Sequence, residues 1–130
     1  LLRRLSPCLY VIKSLIVRGN NLAQLEKALV HFEPLVDAFI TDTCDPETGA
    51  SGATGKTHDW SVSRRLAEVS PRPLILAGGL NPENVKEAIL RVRPAGVDAH
   101  TGVEGPDGRK DAGKVAAFVK AAKEAFAMQP

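Results

Sequence analysis

Ala38 to Trp60 reads AFITDTCDPETGASGATGKTHDW. A short apolar run ends at an acid, Asp42. A polar loop rich in Gly, Thr and Ser follows. A Gly-Lys-Thr triplet (Gly55, Lys56, Thr57) then leads through His58 and Asp59 to Trp60, where a helix begins. An acid at the end of a strand, ahead of a long polar loop, is where α/β proteins place their chemistry.

The same strand–helix unit recurs on both sides of this stretch. Leu9 to Val17 (LYVIKSLIV) is rich in β-branched and apolar residues and reads as a buried strand, with Lys13 inside it. Arg18-Gly19-Asn20-Asn21 is turn chemistry, and either Asn can cap a helix. Leu22, Leu25, Leu29 and Phe32 form one helical stripe, which Pro34 stops. Asp37 to Thr41 leads into Asp42 as a second strand. Trp60 to Val69 is a short helix with Val62, Leu66 and Val69 on one side. Leu74 to Ala77 is a third strand, ending in Gly78-Gly79. Asn81 caps the next helix and Pro82 takes its first position. That helix runs to Val92, buries Val85, Ala88, Ile89 and Val92, and ends at Pro94. Ala95 to Ala99 is a fourth strand, leading into His100-Thr101-Gly102-Val103-Glu104. After a polar turn from Gly105 to Lys110, Asp111 caps a last helix with a face of Val115, Phe118, Val119, Ala122 and Phe126.

Four successive strand–helix units imply an α/β fold with a parallel sheet and right-handed crossovers. Polar and glycine-rich residues gather after each strand, whereas the loops before the strands are short and proline-rich. This asymmetry marks a functional face at the strands' C-terminal ends. Four units make half of an eight-stranded β/α barrel, with two open edges; a small doubly wound sheet is the other arrangement of the same elements.

Length and composition agree with one partial domain spanning residues 1–130. The chain is 44% apolar and 25% charged, with a net charge of +2. No face or run concentrates Lys and Arg, which argues against nucleic acid and anionic membrane as partners. No apolar run approaches a membrane span, and the start lacks the layout of a signal peptide. Cys8 and Cys44 make neither a disulfide framework nor a metal site, so a reducing cytoplasm is expected. The chain begins Leu-Leu-Arg-Arg and its one Met is Met128, from which we expect a truncated N-terminus.

The residues that carry chemistry are few. Ala50 to Thr57 (ASGATGKT) fits a relaxed phosphate-loop pattern, but the preceding strand ends well before it, and His58, Asp59 and Trp60 separate it from the helix. No later strand ends in the acid that would hold magnesium, so nucleotide hydrolysis is set aside. Gly78-Gly79 ends a strand just before a helix N-terminus, where exposed N–H groups and the helix dipole suit a phosphate. Thr101-Gly102 repeats the arrangement one unit later, and two such turns after successive strands match the phosphate site of barrels. Asp42 and Asp98 lie at or near strand ends. Asp98 falls inside a strand pattern and so calls for a partner or a ligand, with Lys13 as one choice. His100 is a polar residue at the rim, and His31 and His58 read as surface or loop residues. Cys44 is near Asp42 without sign of an activated thiol.

Together, Asp42-Thr43 through Thr54-Gly55-Lys56-Thr57-His58-Asp59-Trp60, Leu76-Ala77-Gly78-Gly79-Leu80-Asn81-Pro82-Glu83-Asn84-Val85, and Gly96-Val97-Asp98 with Thr101-Gly102-Val103-Glu104 resemble the C-terminal half of phosphoribosylanthranilate isomerase. Val11-Ile12-Lys13 resembles its fifth strand. The resemblance implies an eight-fold β/α barrel of the TIM type, of which about four C-terminal units are present. It also implies an Amadori rearrangement of a phosphoribosyl substrate in tryptophan biosynthesis, without cofactor or metal. Asp42 matches the family's general acid, Asp98 an Asp near the substrate, and Gly78, Gly79, Thr101 and Gly102 the phosphate site. The family's general base is a Cys ending the first barrel strand, which Cys8 does not match. These 130 residues alone are therefore expected to be inactive. Two features depart from the family: a longer segment between Asp42 and Gly55, and His100 where a small hydroxyl residue is usual. The alternative is a non-catalytic half-barrel or a paralogue that binds a phosphorylated sugar, as a homodimer or with another half-barrel.

Overall fold

In a computed structural model of the chain, the structure describes residues 9–43 and 57–129. Cys8, Cys44, Gly55 and Lys56 lie outside the described residues. Four strands, β1 (Ile12–Val17), β2 (Ala38–Thr43), β3 (Leu74–Leu76) and β4 (Gly96–Val97), form one parallel sheet in the order β1-β2-β3-β4. Between and after them come α1 (Leu22–Phe32), α2 (Trp60–Val69), α3 (Val85–Val92) and α4 (Ala112–Ala127). Strand order follows chain order because each helix returns the chain to the next parallel position.

All four helices pack on one face of the sheet. Leu15, Val17, Phe39 and Leu74 share a core with Leu25 and Leu29 of α1 and with Val62 and Leu66 of α2. Leu76 shares a second core with Val85, Ala88, Ile89 and Val92 of α3 and with Phe118, Ala122 and Ala125 of α4. The register explains why these strand residues point the same way: Phe39 is level with Leu74, and Leu15 and Leu76 are both level with Thr41. The opposite face carries Ser14, Ile16, Ile40, Asp42 and Ile75, none of them fully buried, with Ala38 at the start of β2 the buried residue on that side. A doubly wound sheet has helices on both faces, so the one-sided cover excludes that alternative for the described residues.

The differences from expectation have local causes. The strand foreseen from Leu9 to Val17 begins only at Ile12, where pairing with β2 begins; Leu9 and Tyr10 are exposed. β2 extends past Asp42 to Thr43, because Val17 of β1 still pairs there. β4 is reduced to Gly96–Val97, the two residues that pair with β3. On α4, Val115 and Val119 are exposed, and the buried stripe is Phe118, Ala122 and Ala125. Lys13 does not reach Asp98, since β1 and β4 are at opposite edges of the sheet. It lies on the helix face, with its ammonium 5.1 Å from the centre of the Phe32 ring and hydrogen-bonded to the Ser14 carbonyl at 3.0 Å.

Leu66 is fully buried in the core shared by β1, β2, α1 and α2, whereas Val30 on α1 is exposed. Leu66→Ala is expected to lower unfolding free energy by about 2–5 kcal/mol, and Val30→Ala by less than about 0.5 kcal/mol, in urea titrations at neutral pH.

Candidate functional site

The ladder sets Thr41, Leu76 and Val97 side by side. The residues one step further are Asp42, Ala77 and Asp98, and the chains there remain tied together: the Asp98 N–H donates to the Leu76 carbonyl at 2.9 Å. The Ala77 N–H donates to the Thr41 hydroxyl at 3.4 Å. Asp42 and Asp98 therefore stand at one end of the sheet, two strands apart. A cleft of about 130 Å³ opens between them, lined also by Gly78, Gly79, His100 and Thr101.

The glycine turn after β3 is held from three sides. Gly78 and Gly79 have φ of +103° and +65°, in the region that side chains disfavour. A Cβ on Gly78 would overlap the Thr43 hydroxyl, so the turn lies directly against the end of β2. On the helix side, the Asn81 side chain accepts from the Asn84 N–H at 3.0 Å, and the Asn84 side chain accepts from the Asn81 N–H at 2.9 Å. This reciprocal pair is a capping box, so Asn81 does the capping foreseen for it even though regular helix starts at Val85. Asn84 also donates to the Gly79 carbonyl at 3.0 Å, tying the turn to α3. The third side is the turn at Thr101–Val103. A Cβ on Gly102 would overlap the Leu80 carbonyl oxygen and crowd the Asn81 Cβ, so this turn lies directly against the end of the first.

Five of the six residues singled out in the sequence, Asp42, Gly78, Gly79, Asp98 and Thr101, line this cleft, and Gly102 packs behind it. Asp42 is half-buried, and its carboxylate accepts from the Thr43 N–H at 2.8 Å. Asp98 is exposed just beyond β4 instead of enclosed in a strand, so its carboxylate is solvated and the expected need for a partner or ligand does not arise. His100, also at the mouth, lies 3.2 Å from Glu104 through Nδ1. Glu104 is further bound by Lys110 at 2.7 Å, and that hydrogen bond holds its carboxyl below the usual range.

His58 is the residue that the sequence reading passed over. It is half-buried, with Nδ1 3.0 Å from the Thr43 hydroxyl and Nε2 2.5 Å from the Ser63 hydroxyl. Burial pushes its pKa down, against the raising effect of the Asp42 and Asp59 charges. A signal was present: Ser63 sits between Val62 and Leu66 on the buried side of α2, where a hydroxyl needs a partner.

The family model described as N-(5'phosphoribosyl)anthranilate (PRA) isomerase matches residues 3–121. The chain is 47% identical over 125 residues to N-(5'-phosphoribosyl)anthranilate isomerase 2 of Methanosarcina mazei, covering 96% of this chain and 54% of that protein. It is 52% identical over 92 residues to the Haloferax volcanii isomerase, covering 71% and 41%. Among solved structures, the phosphoribosyl anthranilate isomerase of Thermotoga maritima superposes with a TM-score of 0.72 at 39% identity, covering 94% of this chain and 55% of that one. Another, solved in complex with reduced 1-(O-carboxyphenylamino)-1-deoxyribulose 5-phosphate, has a TM-score of 0.66 at 35% identity, covering 89% and 50%. The chain spans about half the length of these relatives.

The lowered pKa of His58 gives the fold a pH signature. The unfolded imidazole takes up a proton as pH falls through about 6.5, while the folded one resists until lower pH. The stabilisation is complete above that value and is lost as pH falls toward the folded pKa. In urea unfolding between pH 8 and pH 5, roughly the window this linkage spans, His58→Phe is expected to show a shallower loss of stability than the parent chain.

Proposed function

We propose, since this chain belongs to the N-(5'-phosphoribosyl)anthranilate isomerase family, that the protein catalyses the Amadori rearrangement of N-(5-phosphoribosyl)anthranilate to its 1-deoxyribulose 5-phosphate product, in tryptophan biosynthesis. The observation that carries this reading is the cleft that brings Asp42 and Asp98 together with two touching glycine turns. A relative solved with a reduced deoxyribulose 5-phosphate supports the ligand class, a phosphorylated sugar.

In this reading Asp42 is the general acid. It gives a proton to the furanose ring oxygen, the C1–O bond breaks, and the anthranilate nitrogen takes up the positive charge as an iminium. A general base then removes the proton from C2, and the resulting enamine tautomerises to the ketose. The backbone at Gly78, Gly79, Thr101 and Gly102, with the N-terminal end of α3 behind it, receives the 5-phosphate. Asp98 faces the sugar from the opposite wall. No residue of the described segments matches the family's general-base Cys, and we assign the base to none of them.

The same reading makes the four strands the second half of an eight-stranded β/α barrel. Its supports are the one-sided helix cover, the outer edges of β1 and β4, which are unpaired among the described residues, and the half-length match to relatives. On this view the 130 residues need the remaining strands, and the base they bring, for turnover. Among the described residues, no helix is long and apolar enough to cross a membrane, and the proposed location is the cytoplasm.

In the complete protein, Asp42→Asn is expected to reduce kcat by about two to four orders of magnitude, with affinity for the reduced deoxyribulose phosphate changed by less than about three-fold. Near-normal turnover would remove Asp42 from the role of acid. The isolated 130-residue chain is expected to show no measurable turnover until it is mixed with the other half of the barrel, and activity on its own would overturn the divided-barrel reading.

A further inference from the structure

The brace formed by Thr43, His58 and Ser63 has no part in the chemistry above, yet it touches both halves of the cleft. Thr43 is the residue after Asp42 and the last of β2. Its N–H binds the Asp42 carboxylate at 2.8 Å, and its hydroxyl meets His58 at 3.0 Å. Ser63 is fully buried on α2, so the other ring nitrogen is anchored to a helix that is itself locked into the core through Val62 and Leu66. Gly78 lies against the same pair: a Cβ there would overlap the Thr43 hydroxyl and come 3.3 Å from His58 Nδ1. One imidazole thus backs the residue that orients Asp42 and the turn that lines the cleft.

We propose that His58 is a positioning residue, which clamps Thr43 to α2 and so fixes the Asp42 carboxylate relative to the Gly78–Gly79 turn. The proposal rests on the isomerase reading for its kinetic consequence, but its structural content stands without it. The geometry explains why a ring with two nitrogens is used. A neutral imidazole offers one donor and one acceptor, and hydroxyls on either side take the complementary roles. A side chain with one polar end would hold the strand or the helix, but not both. The charged groups around the ring are Asp42 on β2 and Asp59 ahead of α2, while Arg18 and Arg64 line the clefts outside it. The partners it touches directly are uncharged, so the clamp works through hydrogen-bond geometry and not through an ion pair.

Displacing an acid by a fraction of an ångström from a reacting oxygen lowers turnover far more than binding. In the complete protein, His58→Phe keeps the ring and removes both hydrogen bonds, and Thr43→Val removes one hydroxyl without changing side-chain size. Each is expected to lower kcat about 10- to 100-fold with KM altered less than about three-fold, and the double variant to be no worse than His58→Phe alone. Effects that multiply in the double variant, or a kcat of the folded protein within about two-fold of the parent, would overturn the proposal. A second measurement is independent of activity and of the fate of any one variant. In nitrogen NMR of the parent protein, one ring nitrogen of His58 is expected to shift on Thr43→Val and the other on Ser63→Ala. A ring indifferent to both substitutions sinks the clamp whatever the kinetics. A responsive ring in a protein without isomerase activity leaves the clamp standing and removes the isomerase reading instead.

Discussion

The register of the parallel ladder is the constraint on which the site depends. Thr41, Leu76 and Val97 are level across three strands, so Asp42 and Asp98 follow at one height although β2 runs on to Thr43. Side chains alternate along a strand, and a slip of one residue in β2 would turn Asp42 into the helix-packed core and bring Thr41 to the cleft. The register is itself enforced from the other face. Phe39, Leu74 and Leu76 are fully or almost fully buried beneath the helices, and a slip of one residue would turn them to the other face. The apolar contacts of the outer layer thereby set the position of an acid on the inner face, with no contact between the two.

A second consequence concerns backbone. The two glycine turns touch because Gly102 has no Cβ to hold them apart, and Gly78 approaches Thr43 for the same reason. The absence of a side chain at both positions lets three chain segments meet at the cleft. It also explains why the turns must be rigid: Asn81 and Asn84 exchange hydrogen bonds on the α3 side, and Asn84 reaches back to the Gly79 carbonyl. A turn free to adopt several shapes would present its amides in no fixed direction, and would lose the ordering entropy on binding.

Much of this was legible from residue types. The buried face of α3 (Val85, Ala88, Ile89 and Val92) and the glycine turns after the strands each combine a local preference with a pattern, and the two agree, although Pro82, foreseen at the first helical position, lies in a turn ahead of a helix that begins at Val85. The extents of α1 and α2 followed from periodicity for the same reason. Where the reading failed, the missing information was long-range. Lys13 looked like a charge in need of an acid, but a ring on α1 and a neighbouring carbonyl satisfy it. The face of α4 includes Ala125 and leaves Val115 and Val119 exposed, because small residues face the close approach of α3. His58 is a loop residue, as expected, but half-buried; only its spatial neighbours, Thr43 and Ser63, show what it holds. Sequence spacing gives no distance between the end of a strand and the second turn of a helix across a loop.

The charges near the cleft bear on the phosphate site proposed above. Lys110 and Lys114 are both engaged by Glu104: Lys110 at its carboxylate, 2.7 Å away, and Lys114 at its carbonyl, also 2.7 Å. His100 Nδ1 turns to the same carboxylate. On the strand side the cleft presents two carboxylates, Asp42 and Asp98. Among the described residues, those lining the cleft include no Lys or Arg. In the proposed reading, backbone amides and the α3 dipole are the attractive groups for the phosphate, and fixed donors need not reorganise. In the proposed mechanism this division has a use: backbone donors hold the phosphate without bringing a second side-chain charge beside Asp42.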